Sequence, residues 1–119
     1  MIRRMFVVGV AGFALAVAAS ASAQDAAKIE KGKKVFATAS PKCTVCHSIG
    51  GVGNAKGSLD GVGSTLSADE IKAWHRTPRD MAAKAKAERK PAMPAYPKEK
   101  ISDEDLDALA AYLLSLKKK

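Results

Sequence analysis

Cysteine and histidine occur only twice each among these 119 residues, and aromatic side chains make up 5% of them. A structural zinc site wants four ligands, and beyond Cys43 and Cys46 there is no further cysteine to supply them. No β-branched run alternates with polar residues, so no strand of consequence is expected. That absence also removes the α/β setting in which a Cys-x-x-Cys pair works as a thioredoxin-like couple. No apolar run reaches the ~20 residues of a membrane-spanning helix. Lys and Arg outnumber Asp and Glu by 20 to 12, for a formal charge of +8. The basic residues nevertheless form no aromatic-interleaved stripe and no helix-turn-helix pattern, which argues against nucleic acid as a partner.

What is present begins with an unusual N-terminus. Arg3 and Arg4 precede an apolar stretch from Met5 to Val17, and Ala21-Ser22-Ala23 follows with the small-x-small pattern of a signal-peptidase site. Residues 1–23 are therefore read as a cleavable signal peptide and 24–119 as one small exported domain, periplasmic in location. Cleavage after Ala23 removes Arg3 and Arg4 and leaves a mature chain beginning at Gln24, still basic and free of any membrane span.

The mature chain reads as all-helical. Asp25 is placed to cap a first helix running to about Ala39, with Ile29, Gly32, Val35 and Phe36 on one face and Pro41 ending it. Residues 48–64 form a long glycine-rich loop. Ser67 and Glu70 make a capping box for a short helix through Ile71 and Trp74, and Pro78 opens another that extends to about Glu88. Pro91, Pro94 and Pro97 exclude helix and central strand alike. Ser102 caps a last helix whose first turn is acidic, whose end carries Lys117 to Lys119, and whose apolar stripe is Leu106, Leu109, Ala110, Leu113 and Leu116.

Chemistry concentrates in Cys43-Thr44-Val45-Cys46-His47, a C-x-x-C-H sequence whose spacing is that of covalent c-type haem attachment. Two thiols about one helical turn apart reach the two vinyl groups of the porphyrin, and the adjacent imidazole serves as the proximal iron ligand. Three residues compete for the second axial position: Met81, Met93 and His75. Met93 is preferred, because prolines on both sides restrict the backbone and hold its thioether at a fixed point. Met81 reads as a gap filler in an alanine-rich helix, and His75 as a surface or capping histidine. His47 and Met93 as ligands raise the haem potential and leave no open coordination site, which points to single-electron transfer rather than to an enzyme. The alternatives are a haem sensor or peroxidase-like protein with an exchangeable sixth ligand, and a haem-free thiol-disulfide protein.

These features together resemble a class I cytochrome c of the small soluble bacterial periplasmic kind. The resemblance rests on Lys31 to Phe36 ahead of the C-x-x-C-H motif, Leu59-Asp60-Gly61-Val62-Gly63, Ile71 and Trp74, Met93-Pro94, and the closing segment from Asp105 to Leu113. It implies an all-α fold in which the terminal helices cross, Gly32 and Phe36 meeting Tyr112, around one haem c bound through Cys43 and Cys46. It implies redox proteins as electron donor and acceptor and a monomeric chain. One departure stands out: the family often carries a proline after the glycine that follows the motif, and its carbonyl accepts the proximal imidazole N–H. Here Gly57 is followed by Ser58, whose carbonyl is expected to take that role. Trp74 and Tyr96 are candidate donors to haem propionates. Lys84, Lys86, Arg89 and Lys90 read as a solvated helix face or as a docking patch for an acidic partner.

Overall fold

The computed structural model describes residues 14–119, with side chains from Asp25 onward. The expected signal peptide thus lies outside the described residues over 1–13, and over 14–23 only its helical backbone is described. Four α-helices are described: α1 (Ala14–Thr38), α2 (Ala68–Arg76), α3 (Pro78–Ala85) and α4 (Asp103–Leu114). Asp25 is not an N-cap, because α1 begins at Ala14. The reason lies in the sequence: the stretch from Ala14 to Ala27 contains no glycine or proline and is dominated by alanine, the best helix former, so nothing ends the helix at residue 25. Among the described residues, no helix is long and apolar enough to cross a membrane.

The core is built where α1 and α4 cross. Leu106, Leu109, Ala110 and Leu113 of α4 are buried, as their periodicity requires, and Val35 and Phe36 of α1 pack against them. Gly32 makes the crossing possible: a Cβ there would stand 2.1 Å from the Ala108 carbonyl oxygen and 2.6 Å from Tyr112 Cβ. With the backbones this close, the Phe36 and Tyr112 rings meet edge to face, 6.2 Å apart at 74°. Ion pairs rim the junction. Asp107 of α4 accepts from Lys28 of α1 and from Lys72 of α2, the latter at 2.7 Å.

Those two lysines, chiefly through their hydrogen bonds, hold the Asp107 carboxyl down at about 2. A carboxyl with a depressed folded-state pKa stabilises the fold above its unfolded value and loses that contribution as pH falls. The group is half exposed, so the effect is small. Asp107→Asn is expected to cost less than about 1 kcal/mol at pH 7. In denaturant titrations, its difference from the parent should close as pH falls from about 3.8 to about 2.

Elsewhere the helix signals translate directly. Ser67 and Glu70 complete a reciprocal capping box on α2, at 3.0 and 3.1 Å. Pro78 stands in the first turn of α3, and the Ser102 hydroxyl accepts from the Asp105 N–H of α4 at 3.1 Å. Two helices are shorter than expected. Helix α3 stops at Ala85 rather than Glu88, because Lys86 adopts a left-handed conformation (φ 52°) that closes the helix with bonds to the Ala82 and Ala83 carbonyls. Helix α4 ends at Leu114, so Lys117 lies beyond it and donates to the Gly63 carbonyl at 2.6 Å.

The glycine-rich loop is also more ordered than its composition suggests. It contains a two-residue antiparallel pair, β1 (Ser48–Ile49) with β2 (Val52–Gly53), which corrects the expectation of no strand. Gly50 and Gly51 both take positive φ, 58° and 82°, as the two central residues of a hairpin turn of this hand require.

Candidate functional site

A cavity of about 450 Å³ opens between the C-x-x-C-H segment, α2, and the proline-rich stretch after α3. Cys43, Cys46, His47, His75 and Met93 line it, within walls that include Phe36, Leu59, Val62, Leu66 and Leu113. Met81 is not among the lining residues; its helix contributes Pro78, Arg79 and Ala82 instead. Of the three candidates for the second axial position, the fold therefore brings Met93 and His75 to the same space as His47 and leaves Met81 aside.

The motif itself is a single 3₁₀ turn over Cys43–Val45, held by the His47 N–H donating to the Cys43 carbonyl at 2.9 Å. The His47 carbonyl accepts from the Asn54 N–H at 3.1 Å, and Gly53 lets β2 approach so closely, since a Cβ there would fall 2.2 Å from that same oxygen. The imidazole is fixed in turn, Nδ1 bonding to the Gly57 carbonyl at 2.9 Å. The expected acceptor at residue 58 is thus corrected to Gly57. Ser58 is committed to the sheet instead: it forms a bridge with Ser48, and the Leu59 N–H donates to the Ser48 carbonyl at 2.8 Å, which turns the Gly57 carbonyl toward the ring. With Nδ1 as the donor, Nε2 carries the lone pair, the tautomer a ligating histidine needs. Burial lowers the His47 pKa, and the Gly57 bond opposes it only in part, so the ring is neutral at pH 7.

Arg89 reaches across to this side. Its guanidinium donates to the Cys46 carbonyl at 2.6 Å and fills the space where a Gly57 side chain would stand. It is therefore a strap from the segment after α3 onto the motif rather than part of a solvated face. Both cysteines are free thiols, and burial raises the Cys43 thiol above its usual value.

Tyr96, three residues after Met93, is anchored by several bonds. Its N–H donates to the His75 carbonyl at 2.7 Å, its carbonyl accepts from Arg76 at 2.7 Å, and its hydroxyl donates to the Pro41 carbonyl at 2.6 Å. Between the two readings of Tyr96, as a propionate donor or a core residue, the hydroxyl bond to Pro41 favours the second, and burial pushes the hydroxyl pKa up to about 12. Trp74 remains on the cavity wall. His75 differs most from expectation. It is not a surface histidine but is 6% exposed, with Nδ1 bonded to the Ile71 carbonyl at 2.7 Å and its ring beside Tyr96. Sequence spacing contained the clue, since His75 lies four residues after the buried Ile71 and so on the same helix face.

The lining fits a planar, mostly apolar group tethered at one edge: aliphatic and aromatic walls, two unpaired thiols at adjacent points, and a neutral imidazole with a free lone pair. Comparison with known proteins agrees. A family model described as cytochrome c matches residues 29–117. A curated relative, cytochrome c oxidase subunit 2 of Alkalihalophilus pseudofirmus (strain OF4), is 36% identical over 96 residues, covering 73% of this chain. The chain spans only 25% of that relative's length. No solved structure matches the chain.

Proposed function

The chain belongs to the cytochrome c family, and from that premise we propose that it is an exported single-electron carrier whose haem iron is held between His47 and Met93. Covalently bound haem c and haem-based electron transfer come with the family, Cys43 and Cys46 being the pair spaced for attachment. A cytochrome c domain is typically an electron carrier rather than an enzyme. When bound, the group supplies a one-electron ferric–ferrous couple. The protein's part is to position it, exclude water and set its potential.

The observation that carries the ligand assignment is that Met93 and His47 line one cavity together with both cysteines, while Met81 does not. The bonds at Tyr96 hold the Met93 segment against α2 and against Pro41, so the thioether is presented with little ordering left to do on ligation. The Gly57 carbonyl orients the His47 ring and raises its basicity as a ligand. With haem bound, His47 and Met93 would hold the iron, and a thioether together with an imidazole would raise its potential.

Donor and acceptor are redox proteins in this reading. Val45 on the cavity wall, 66% exposed, and Val52 on the hairpin, 71% exposed, supply an apolar contact, with exposed Lys42 and Lys56 as a basic rim suited to acidic partners. The mature protein is a periplasmic monomer starting at Gln24, a reading supported by Arg3 and Arg4, the apolar stretch from Met5 to Val17 and the small-x-small pattern Ala21-Ser22-Ala23.

Visible absorption of the haem-loaded protein, with its intact mass, tests the proposal. The mass should correspond to residues 24–119 plus one haem. The spectrum should show sharp low-spin bands and, in the oxidised form, the weak long-wavelength band of methionine–iron ligation. That weak band should be lost completely in Met93→Ala and kept in Met81→Ala. A high-spin spectrum in the parent would favour the sensor or peroxidase-like reading instead.

A further inference from the structure

Two histidines of this chain share one arrangement. His47 bonds through Nδ1 to the Gly57 carbonyl at 2.9 Å, and His75 bonds through Nδ1 to the Ile71 carbonyl at 2.7 Å. In a neutral ring that donates from Nδ1, Nε2 is left with the lone pair. A backbone carbonyl on the far nitrogen is the usual support of a metal-bound imidazole. Both residues line the same cavity. The His75 Nε2 forms no hydrogen bond with the described residues, and no buried side-chain polar atom among them is left without a partner, so this nitrogen keeps open space beside it in a residue that lines the cavity.

The fold also ties His75 to the segment that carries Met93. The Tyr96 N–H donates to the His75 carbonyl itself, at 2.7 Å, so α2 and the segment carrying Met93 enter the cavity joined at this residue. Arg76, next in sequence, bonds to the Tyr96 and Ile101 carbonyls, both at 2.7 Å, which fixes the end of α2 from the other side. A histidine kept only for packing has a cheaper replacement here, since any aliphatic side chain fills a buried face of α2 without a polar nitrogen to satisfy.

We infer that His75 is a reserve axial ligand, whose Nε2 takes the iron coordination position when Met93 leaves it. The inference rests on the reading of this cavity as the haem site with Met93 as the resting ligand. The exchange breaks the sulfur–iron bond and forms a nitrogen–iron bond. No electron is transferred and no proton moves, because Nδ1 keeps its hydrogen on the Ile71 carbonyl. Replacing a thioether by a second imidazole removes what raises the potential in His/Met ligation. The protein then has two closed, low-spin states of different potential, selected by the position of the Met93 loop.

The test uses haem-loaded parent, Met93→Ala, His75→Leu and Met93→Ala/His75→Leu proteins, examined by visible absorption, electron paramagnetic resonance and near-infrared magnetic circular dichroism. Met93→Ala is expected to lose the methionine–iron band yet stay low-spin with a bis-histidine signature, and the double variant to turn high-spin. His75→Leu alone should keep the methionine–iron band, which shows that the pocket survives the substitution. External imidazole should half-saturate the double variant at a concentration at least about tenfold below that needed for Met93→Ala, where it competes with a tethered ligand. A high-spin Met93→Ala protein overturns the inference while leaving Met93 as ligand intact. A double variant that stays low-spin also overturns it, and an amine signature would then assign the capture to a lysine. A parent that is bis-histidine from the start, and turns high-spin in His75→Leu, overturns the Met93 reading and makes His75 the working ligand.

Discussion

Substitution of Cys43 and Cys46 by alanine together is expected to leave a chain that no longer folds cooperatively. The cavity of about 450 Å³ is walled by side chains of the hydrophobic core. Phe36 of α1, Ile71 of α2 and Leu113 of α4 each line it while also belonging to the packing between helices. Leu59, Val62 and Leu66 line it as well and pack against the same buried cluster. Left unfilled, the cavity exposes its apolar walls to water, which at ~25 cal/mol per Å² costs on the order of several kcal/mol. The whole stability of a small domain is only about 5–15 kcal/mol. Away from the cavity the core is the α1–α4 crossing with Ile101 and a short stripe of leucines and alanines, and it has little to set against such a loss. Far-UV circular dichroism of the double variant should show a large loss of helical signal and no sigmoidal thermal transition, whereas the haem-loaded parent melts cooperatively. Full helicity with a cooperative melt in the double variant would mean that the helices close over the cavity unaided, and that its lining is not part of the load on the core.

The same division between local and assembled features explains how much was legible in the sequence. Ser67 with Glu70, Pro78 and Ser102 signal helix starts through bonds made within three residues, so their capping needs no tertiary context. The α4 stripe and the pairing of Gly32 and Phe36 with Tyr112 were equally legible, the first from periodicity and the second from family resemblance. The cysteine motif with His47 is local too, and the prolines around Met93 mark that segment as neither helix nor central strand.

What was not legible depended on a partner distant in the chain. The use of the Gly57 carbonyl rather than that of Ser58 is decided by the bridge between Ser48 and Ser58. The Tyr96 hydroxyl is claimed by Pro41, 55 residues away, and Arg89 by the Cys46 carbonyl, 43 residues away. Neither bond leaves a trace in local composition. The burial of His75 is hidden for a related reason: a polar residue beside Trp74 on a nine-residue helix reads as exposed until the other side of the helix is known. Gly50-Gly51, by contrast, is a local hairpin signal, two glycines between short extended segments.

Gly32→Ala should destabilise the protein by about 3 kcal/mol, against the direction that helix propensity sets. In an exposed helix interior, alanine is favoured over glycine by about 1 kcal/mol. At position 32 the added methyl would lie 2.1 Å from the Ala108 carbonyl oxygen, 2.8 Å from the Ala108 carbonyl carbon and 2.6 Å from Tyr112 Cβ. Two of these three atoms are backbone, and the third is fixed to it, so no rotamer change relieves the contact. Helix α1 must instead move away from α4, which opens the edge-to-face contact of Phe36 with Tyr112 and loosens the stripe around Leu109, a residue with 0% exposure. Lys34→Ala, on the exposed face of the same helix, serves as the control and should change stability by no more than about 0.5 kcal/mol. Denaturant unfolding of the haem-loaded proteins in one fixed oxidation state measures both. A loss of about 3 kcal/mol corresponds to a fall in Tm on the order of 10–20 °C for a domain of this size. A Gly32→Ala protein as stable as the parent would mean that α1 and α4 do not cross at this residue, and the helix pair that closes one side of the haem cavity would have to be redrawn.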